Sequence, residues 1–115
     1  MVKSFEELMI WQDARKLSNL VHFTFLELKD YDFKNQINSA AVSVMNNTAE
    51  GFERFSKPDF KRFLQIAKAS NGEVRSMTYL AEDYNYIATE KAIEIRNLSI
   101  KIKTEIVSLM NTLII

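Results

Sequence analysis

Two glycines and one proline in 115 residues leave this chain few places to turn. Glycine and proline are the strongest local interrupters of regular structure, so long unbroken elements are expected. Apolar spacing says which kind. From Ile10, the residues Ala14, Leu17, Val21, Thr24 and Leu28 follow in steps of four and three, which puts them on one side of a helix. Ser4 with Glu7 three residues on is an S-x-x-E capping box and predicts the helix start. "KDYDF" breaks the pattern. Asp30 or Asp32 is placed to cap a second helix, whose seam reads Phe33, Ile37, Ala41, Val44, Thr48 and Phe55.

In "FSKPDF", Ser56 as N-cap, Pro58 in the first turn and Asp59 at the third position all favour a third helix start. Phe60, Phe63, Ala67, Ser70, Val74, Met77, Ala81 and Tyr84 form its stripe. Thr89 is read as the cap of a fourth helix carrying Ile95, Leu98, Ile102, Ile106, Leu109 and Leu113. A second row on that helix, Ile93, Ile100, Val107 and Ile114, repeats every seven residues. Each pattern runs roughly 22 to 28 residues, or about 33–42 Å at about 1.5 Å per residue. Short connections make successive helices antiparallel. The expectation is an all-α, antiparallel up-down-up-down four-helix bundle filling residues 1–115 as one domain.

A monomeric bundle needs one apolar stripe per helix. The second row on the fourth helix, with Leu8, Trp11, Leu20, Phe23 and Phe25 outside the main seam of the first, is a surplus that predicts a homo-oligomer. The absence of cysteine excludes disulfides, thiol nucleophiles and zinc–thiolate sites. Fifteen basic and fifteen acidic residues cancel, without the basic excess of a dedicated phosphate binder. No apolar run is long enough to span a membrane, and the acid-bearing start "MVKSFEELMIWQDARK" is no signal peptide, so a cytoplasmic protein is expected.

One position off the apolar seam of the second helix lies a small, polar row: Gln36, Ala40, Ser43, Asn47, Glu50 and Arg54. The third helix offers a partner row in Gln65, Ala69, Gly72 and Ser76, with Glu73 beside it. Small residues let two helices approach, and amides, hydroxyls and carboxylates can then bond across the gap. Gly51 and Gly72 are expected as close-contact points, because glycine within a helix costs about 1 kcal/mol relative to alanine. Glu50 and Glu73 as an acid/base or metal pair is the sharper reading. A di-metal bundle wants Glu-x-x-His motifs, and the lone His22 is in none. The row therefore reads as a packing and oligomer network of Gln36, Ser43, Asn47, Glu50, Gly51, Arg54, Ser70 and Glu73, with no catalytic residue, metal or cofactor expected.

"LMIWQDARKL", "QINSAAVSVMNNTAEGFERFS" and "FKRFLQIAKASNGEV" resemble the four-helix-bundle proteins associated with intervening sequences in bacterial 23S rRNA genes. Leu8, Trp11, Gln12 and Ala14 match that family's opening L-x-x-W-Q-x-A. Gln36, Ala40, Ala41, Ser43, Asn47, Ala49, Glu50 and Gly51 match its second block, and Phe60, Phe63, Leu64, Ser70 and Glu73 its third. The resemblance implies a bundle that assembles as a ring, commonly a pentamer, with no catalytic activity. Members similar to the accessory proteins of diversity-generating retroelements bind nucleic acid and a reverse transcriptase. Asn38 and Ser39 stand where the family often has arginines, Thr48 replaces isoleucine in N-I-A-E-G, and Ala69 replaces a glycine.

Two further patterns carry chemistry. Arg15 and His22 share a helix face at an R-x6-H spacing used by some all-helical ribonucleases, a short motif that many amphipathic helices contain. Lys61, Arg62 and Lys68 form the best local basic patch, a candidate RNA or DNA contact; a solvated lysine-rich face is the plainer reading. The many aromatics read as core, and the alternating charges of the fourth helix as a solvated face. The sequence thus predicts a non-enzymatic homo-oligomeric scaffold for a protein or ribonucleoprotein partner, with direct nucleic-acid binding as the alternative and a ribonuclease as the remote one.

Overall fold

The computed structural model describes residues 2–113. Four helices follow one another: α1 (Met9–Thr24), α2 (Tyr31–Phe52), α3 (Lys57–Asp83) and α4 (Thr89–Thr112). Each packs on its neighbour in sequence, and α4 closes the bundle against α1. The up-down-up-down expectation is met in a rod of 45 × 21 × 20 Å. Two poles result. One gathers the α2–α3 corner, the start of α1 and the end of α4; the other gathers the α1–α2 and α3–α4 connections.

The helix starts follow local chemistry. The Asp30 carboxylate accepts from the Phe33 amide at 3.2 Å, and the Ser56 hydroxyl accepts from the Asp59 amide at 3.3 Å. Each satisfies one orphan donor of a first turn. Several starts and stops differ from the sequence reading. The Ser4–Glu7 capping box is present, with the Glu7 carboxylate taking the amides of Lys3 and Ser4 at 2.9 and 3.0 Å. It opens only a 3-10 turn, Phe5–Glu7, and α1 begins beyond Leu8. α1 then stops at Thr24, so it has 16 residues against 22, 27 and 24 in α2, α3 and α4. Thr89 is the first residue of α4, not its cap; the N-cap is Ala88, and the Thr89 hydroxyl turns back to Glu82 Oε2 at 3.2 Å.

The core is the inner stripe of each helix: Leu17 and Val21, Ile37 and Val44, Leu64 and Val74, Ile95, Ile102 and Ile106 are all fully buried. Leu64 and Asn71, off the single stripe read for α3, are buried because that helix contacts α2 on one flank and α4 on the other. Across the second flank the Asn71 amide donates to the Ser99 carbonyl at 2.8 Å, and the Ser99 hydroxyl donates to the Asn71 carbonyl at 3.3 Å. Phe55 and Tyr84, read as stripe members, are exposed: α2 ends at Phe52, and Tyr84 is the C-cap of α3.

The far pole is closed by aromatics. Phe25 lies past the end of α1 yet is 1% exposed, edge-on to Phe33 at 5.6 Å; Phe33 meets Tyr86 at 5.3 Å. Asn85 takes a left-handed φ of 60°, a conformation asparagine tolerates better than most residues. It turns the chain so that the Tyr86 amide bonds back to the Ala81 carbonyl and the Tyr86 hydroxyl donates to Asp30 Oδ2. That hydroxyl, then the Phe33 amide, hold Asp30 below the ordinary carboxylate value, and the same bond raises the Tyr86 phenol.

Candidate interaction surfaces

The polar row of α2 faces α3 and is partly laced to it. The Ser43 and Ser70 hydroxyls meet at 2.8 Å across the two helices. The Asn47 amide donates to the Ser43 hydroxyl and to the Ser43 carbonyl, each at 2.9 Å. Further up, the Gln36 amide donates to Glu73 Oε2 at 3.3 Å. Ser43, Asn47 and Ser70 are half-buried, whereas Gln36, Glu50, Arg54 and Glu73 are exposed. The sharper reading of Glu50 and Glu73 fails on distance. Glu73 lies beside Gln36, and fourteen residues of α2 separate Gln36 from Glu50, about 21 Å along the axis. The two carboxylates are no pair, and among the described residues no cluster of acids or histidine is arranged to hold a metal ion.

The two glycines part company. A Cβ built on Gly51 would lie 2.8 Å from Phe63 Cβ, 2.9 Å from Phe60 Cδ1 and 3.2 Å from the Phe60 carbonyl oxygen. Gly51 is a close-contact point between α2 and α3. Gly72 is not: a Cβ there would meet nothing within 4 Å. The corner around Gly51 is stitched by Asp59, which the sequence suggested only as a helix starter. Asp59 Oδ1 accepts from Arg62 Nε and a terminal nitrogen at 3.1 and 3.0 Å, and Asp59 Oδ2 lies 3.8 Å from Arg54 Nε. Both guanidinium groups lie over the Phe63 ring, at 4.7 Å for Arg54 and 4.5 Å for Arg62. Arg54 also reaches Glu50 Oε1 at 3.4 Å.

This arrangement divides the basic patch. Lys61 and Lys68, seven residues apart, share one face of α3, whereas Arg62 lies about 100° further round and is engaged by Asp59.

Cations gather elsewhere. Between α1 and α2 lies an open concavity of about 620 Å³ whose lining includes Trp11, Arg15, His22, Lys34 and Asn38. A second of about 500 Å³, lined by α1 alone, adjoins it at Trp11 and Arg15 and adds Lys16, and among the described residues neither lining contains a carboxylate. The Arg15 guanidinium lies 5.9 Å from the Trp11 ring, and the Lys34 ammonium 5.7 Å from the Tyr31 ring. Arg15 and His22 do share this groove. His22 packs edge-on against Phe23 at 5.0 Å and makes no side-chain hydrogen bond among the described residues.

Apolar groups also remain outside. Ile93 and Ile100 on α4 are 45% and 50% exposed, and Ile114 of the same row lies outside the described residues. The charges of α4, read as a solvated face, are only partly that. The Arg96 side chain, 13% exposed, bonds Glu82 Oε1 at 2.6 Å and the Thr78 hydroxyl at 3.2 Å, and its guanidinium covers the Tyr79 ring at 4.2 Å. No helix among the described residues is long and apolar enough to cross a membrane.

Comparison with known proteins agrees with this architecture. The solved structure of a protein of the S23 ribosomal protein family from Bacteroides thetaiotaomicron VPI-5482, described as of unknown function, superposes with a TM-score of 0.81. It covers 89% of this chain and 98% of its own at 24% identity, a likeness of fold. No curated protein matches. The model of the 23S rRNA-intervening sequence protein family matches residues 6–108, from the turn before α1 to near the end of α4, and the chain belongs to that family.

Proposed function

We propose that this protein is a non-catalytic homo-oligomer, a pentameric ring, that serves as a cytoplasmic scaffold for a protein or ribonucleoprotein partner. The observation that carries the reading is the uncovered apolar row of α4. Ile93 and Ile100 lie seven residues apart on the flank of α4 away from its buried stripe. Gly72 and Ile100 each follow a member of the Asn71–Ser99 pair in sequence, so both belong to the same crossing of α3 and α4. A helix glycine with open space beside it has no reason inside the subunit, but lets another backbone approach closely. The half-buried amide and hydroxyls of Asn47, Ser43 and Ser70 offer a second surface, one that fixes register by hydrogen bonding rather than by area.

Light scattering on eluting protein tests this. The wild type is expected as one discrete oligomer, and Ile93→Glu/Ile100→Glu as a helical 13.4 kDa monomer. Asn47→Leu is expected to change the subunit number. A wild type that elutes as a monomer, or a double variant with unchanged mass, defeats the reading.

A second reading is favoured by one observation, the groove between α1 and α2 that carries Arg15, His22 and Lys34, with Lys16 in the adjoining concavity and no carboxylate among the described lining residues, in a chain of zero net charge. Phosphate backbones bind such grooves, and rings such as Trp11 and Tyr31 can stack bases. Repetition around a ring would add avidity to weak single sites. Binding of a fluorescent single-stranded oligonucleotide is expected to weaken at least tenfold between about 50 and 200 mM salt. Arg15→Glu/Lys34→Glu is expected to abolish it. No binding at low salt, or binding indifferent to the charge reversal, removes this reading.

A further inference from the structure

Asp13 is 2% exposed in the middle of the α1 stripe, an acid among Ile10, Ala14 and Leu17. Lysines reach it from two helices: Lys101 Nζ of α4 lies 3.1 Å from Asp13 Oδ2, and Lys16 Nζ of α1 lies 3.8 Å from Asp13 Oδ1. Both ammonium groups are largely in solvent, with side chains 56% and 72% exposed. Glu105 lies one helical turn beyond Lys101 on α4, and its buried carboxyl and that of Asp13 bear on each other. Neither Glu105 oxygen touches solvent, and among the described residues neither finds a hydrogen-bond donor; Asp13 Oδ2 is likewise without one of good geometry there.

Two ionised carboxylates are acceptors only and cannot bond to each other. Held together in a seam, they cannot both keep their charge at low cost. One proton resolves the unpaired oxygens and the repulsion at once, because a protonated Glu105 becomes a donor to Asp13. We propose that Asp13 and Glu105 share a proton and so form a latch between α1 and α4 that weakens as the solution becomes more alkaline.

The balance of forces on Glu105 agrees. Burial, then the hydrogen bond with Asp13, then the charge of Asp13 raise its carboxyl from 4.5 to about 7, against the opposing pull of Lys101 and Lys16. α4 packs on α1 and α3 only. The charged groups that bear on Glu105 are Asp13 and Lys16 of α1 and Lys101 of its own helix; none belongs to α3. The folded chain therefore holds this proton more tightly than the unfolded one. Its stabilisation is complete below about pH 4.5, declines as the pH rises to about 7, and is absent above. Beside the latch, Leu8, Met9, Ile10 and Leu109 line an open groove of about 420 Å³ together with Glu105, Thr104, Ser108 and Thr112. The seam that loosens is one through which apolar surface would become accessible.

Thermal unfolding at fixed protein concentration, from pH 5 to pH 8, tests the latch alongside Glu105→Gln, whose amide donates to Asp13 at every pH. The wild-type melting temperature is expected to fall by about 5–10 °C over that range, and that of Glu105→Gln to vary far less and to exceed the wild type at pH 8. Titrating groups outside the Asp13–Glu105 pair contribute equally to both proteins. A carbon-detected NMR titration of the wild type is expected to place the Glu105 midpoint near 7, and Asp13→Asn to move it down. Parallel melting profiles, a Glu105 midpoint near 4.5, or a midpoint indifferent to Asp13→Asn would each overturn the proposal.

Discussion

Gly51→Val is expected to destabilise the protein by on the order of 3 kcal/mol, measured by urea unfolding at fixed protein concentration, whereas Gly72→Ala is expected to stabilise the isolated subunit by up to about 1 kcal/mol. Gly72 lies in the middle of α3 and Gly51 one residue from the end of α2, and helix propensity favours replacing Gly72. The difference lies in what a side chain would meet. At Gly51 a new Cβ would meet the Phe60 ring at 2.9 Å and, on or next to the α3 backbone, Phe63 Cβ and the Phe60 carbonyl oxygen at 2.8 and 3.2 Å. The last two are fixed to that backbone and cannot swing aside as the tip of a lysine would. Relief requires α2 and α3 to separate, at the corner where Arg54, Asp59, Arg62 and Phe63 are mutually engaged. At Gly72 nothing stands within 4 Å, so the methyl group costs nothing within the subunit. If Gly72→Ala also alters the oligomer, the open space is a seat for another subunit. Equal responses at the two glycines would contradict the difference in their surroundings.

Phe25→Ala is expected to cost about 3–5 kcal/mol, the range for removing a fully buried aromatic side chain. Phe23→Ala, two residues earlier, is expected to stay within about 0.5 kcal/mol. Phe23 is 65% exposed and Phe25 1%. Phe25 begins a run of edge-on rings that continues through Phe33 and Tyr86 to Tyr84, linking both connections at that pole. Its loss opens a cavity where the chain has left α1 and where Asn85 fixes the path of the α3–α4 connection. Urea midpoints of the two alanine variants check the contrast, and similar midpoints would mean that the rings close nothing.

The two phenylalanines also show where the sequence could and could not be read. Steps of three and four identified the inner stripes of α1 through α4, because in a bundle the period of a helix and the direction of its core coincide. Ser56 and one of the two candidate acids, Asp30, were legible as caps because N-capping is settled within three residues. Leu28 and Phe55 continued the periodic pattern and misled it: periodicity cannot see that the chain has stopped being helical. Phe25 broke the period and was core all the same, because past the end of α1 the chain no longer obeys a helical angle. Leu64, Asn71 and Ser99 were missed for another reason. A helix that touches two neighbours buries about half its circumference, and a single row of residues describes only the middle of that arc.

The polar groups divide in the same way. The polar row of α2 was legible, but its partner was misplaced: Gln65, Ala69 and Ser76, read as the facing row of α3, are exposed, and it is Ser70, read as a stripe member, and Glu73 that bond to Ser43 and Gln36. Asp13 and Glu105 were not legible as a pair, since their meeting depends on the first and last helices closing the bundle, which no local spacing encodes. Lys101 and Glu105 looked like two members of an alternating, solvated series. Only the position of α1 turns one of them inward.

The two poles of the rod are unlike in how they are held. At one, a phenol, a carboxylate and stacked ring edges bind the two connections to each other, and the chain reverses within a few residues. At the other, α1 is short and enters through a single 3-10 turn, α4 runs past it, and the seam between them is held by a proton that solution conditions can remove. Loss of that proton would loosen the α1–α4 seam alone, because the α2–α3 corner at the same pole stays engaged through Arg54, Asp59 and Arg62.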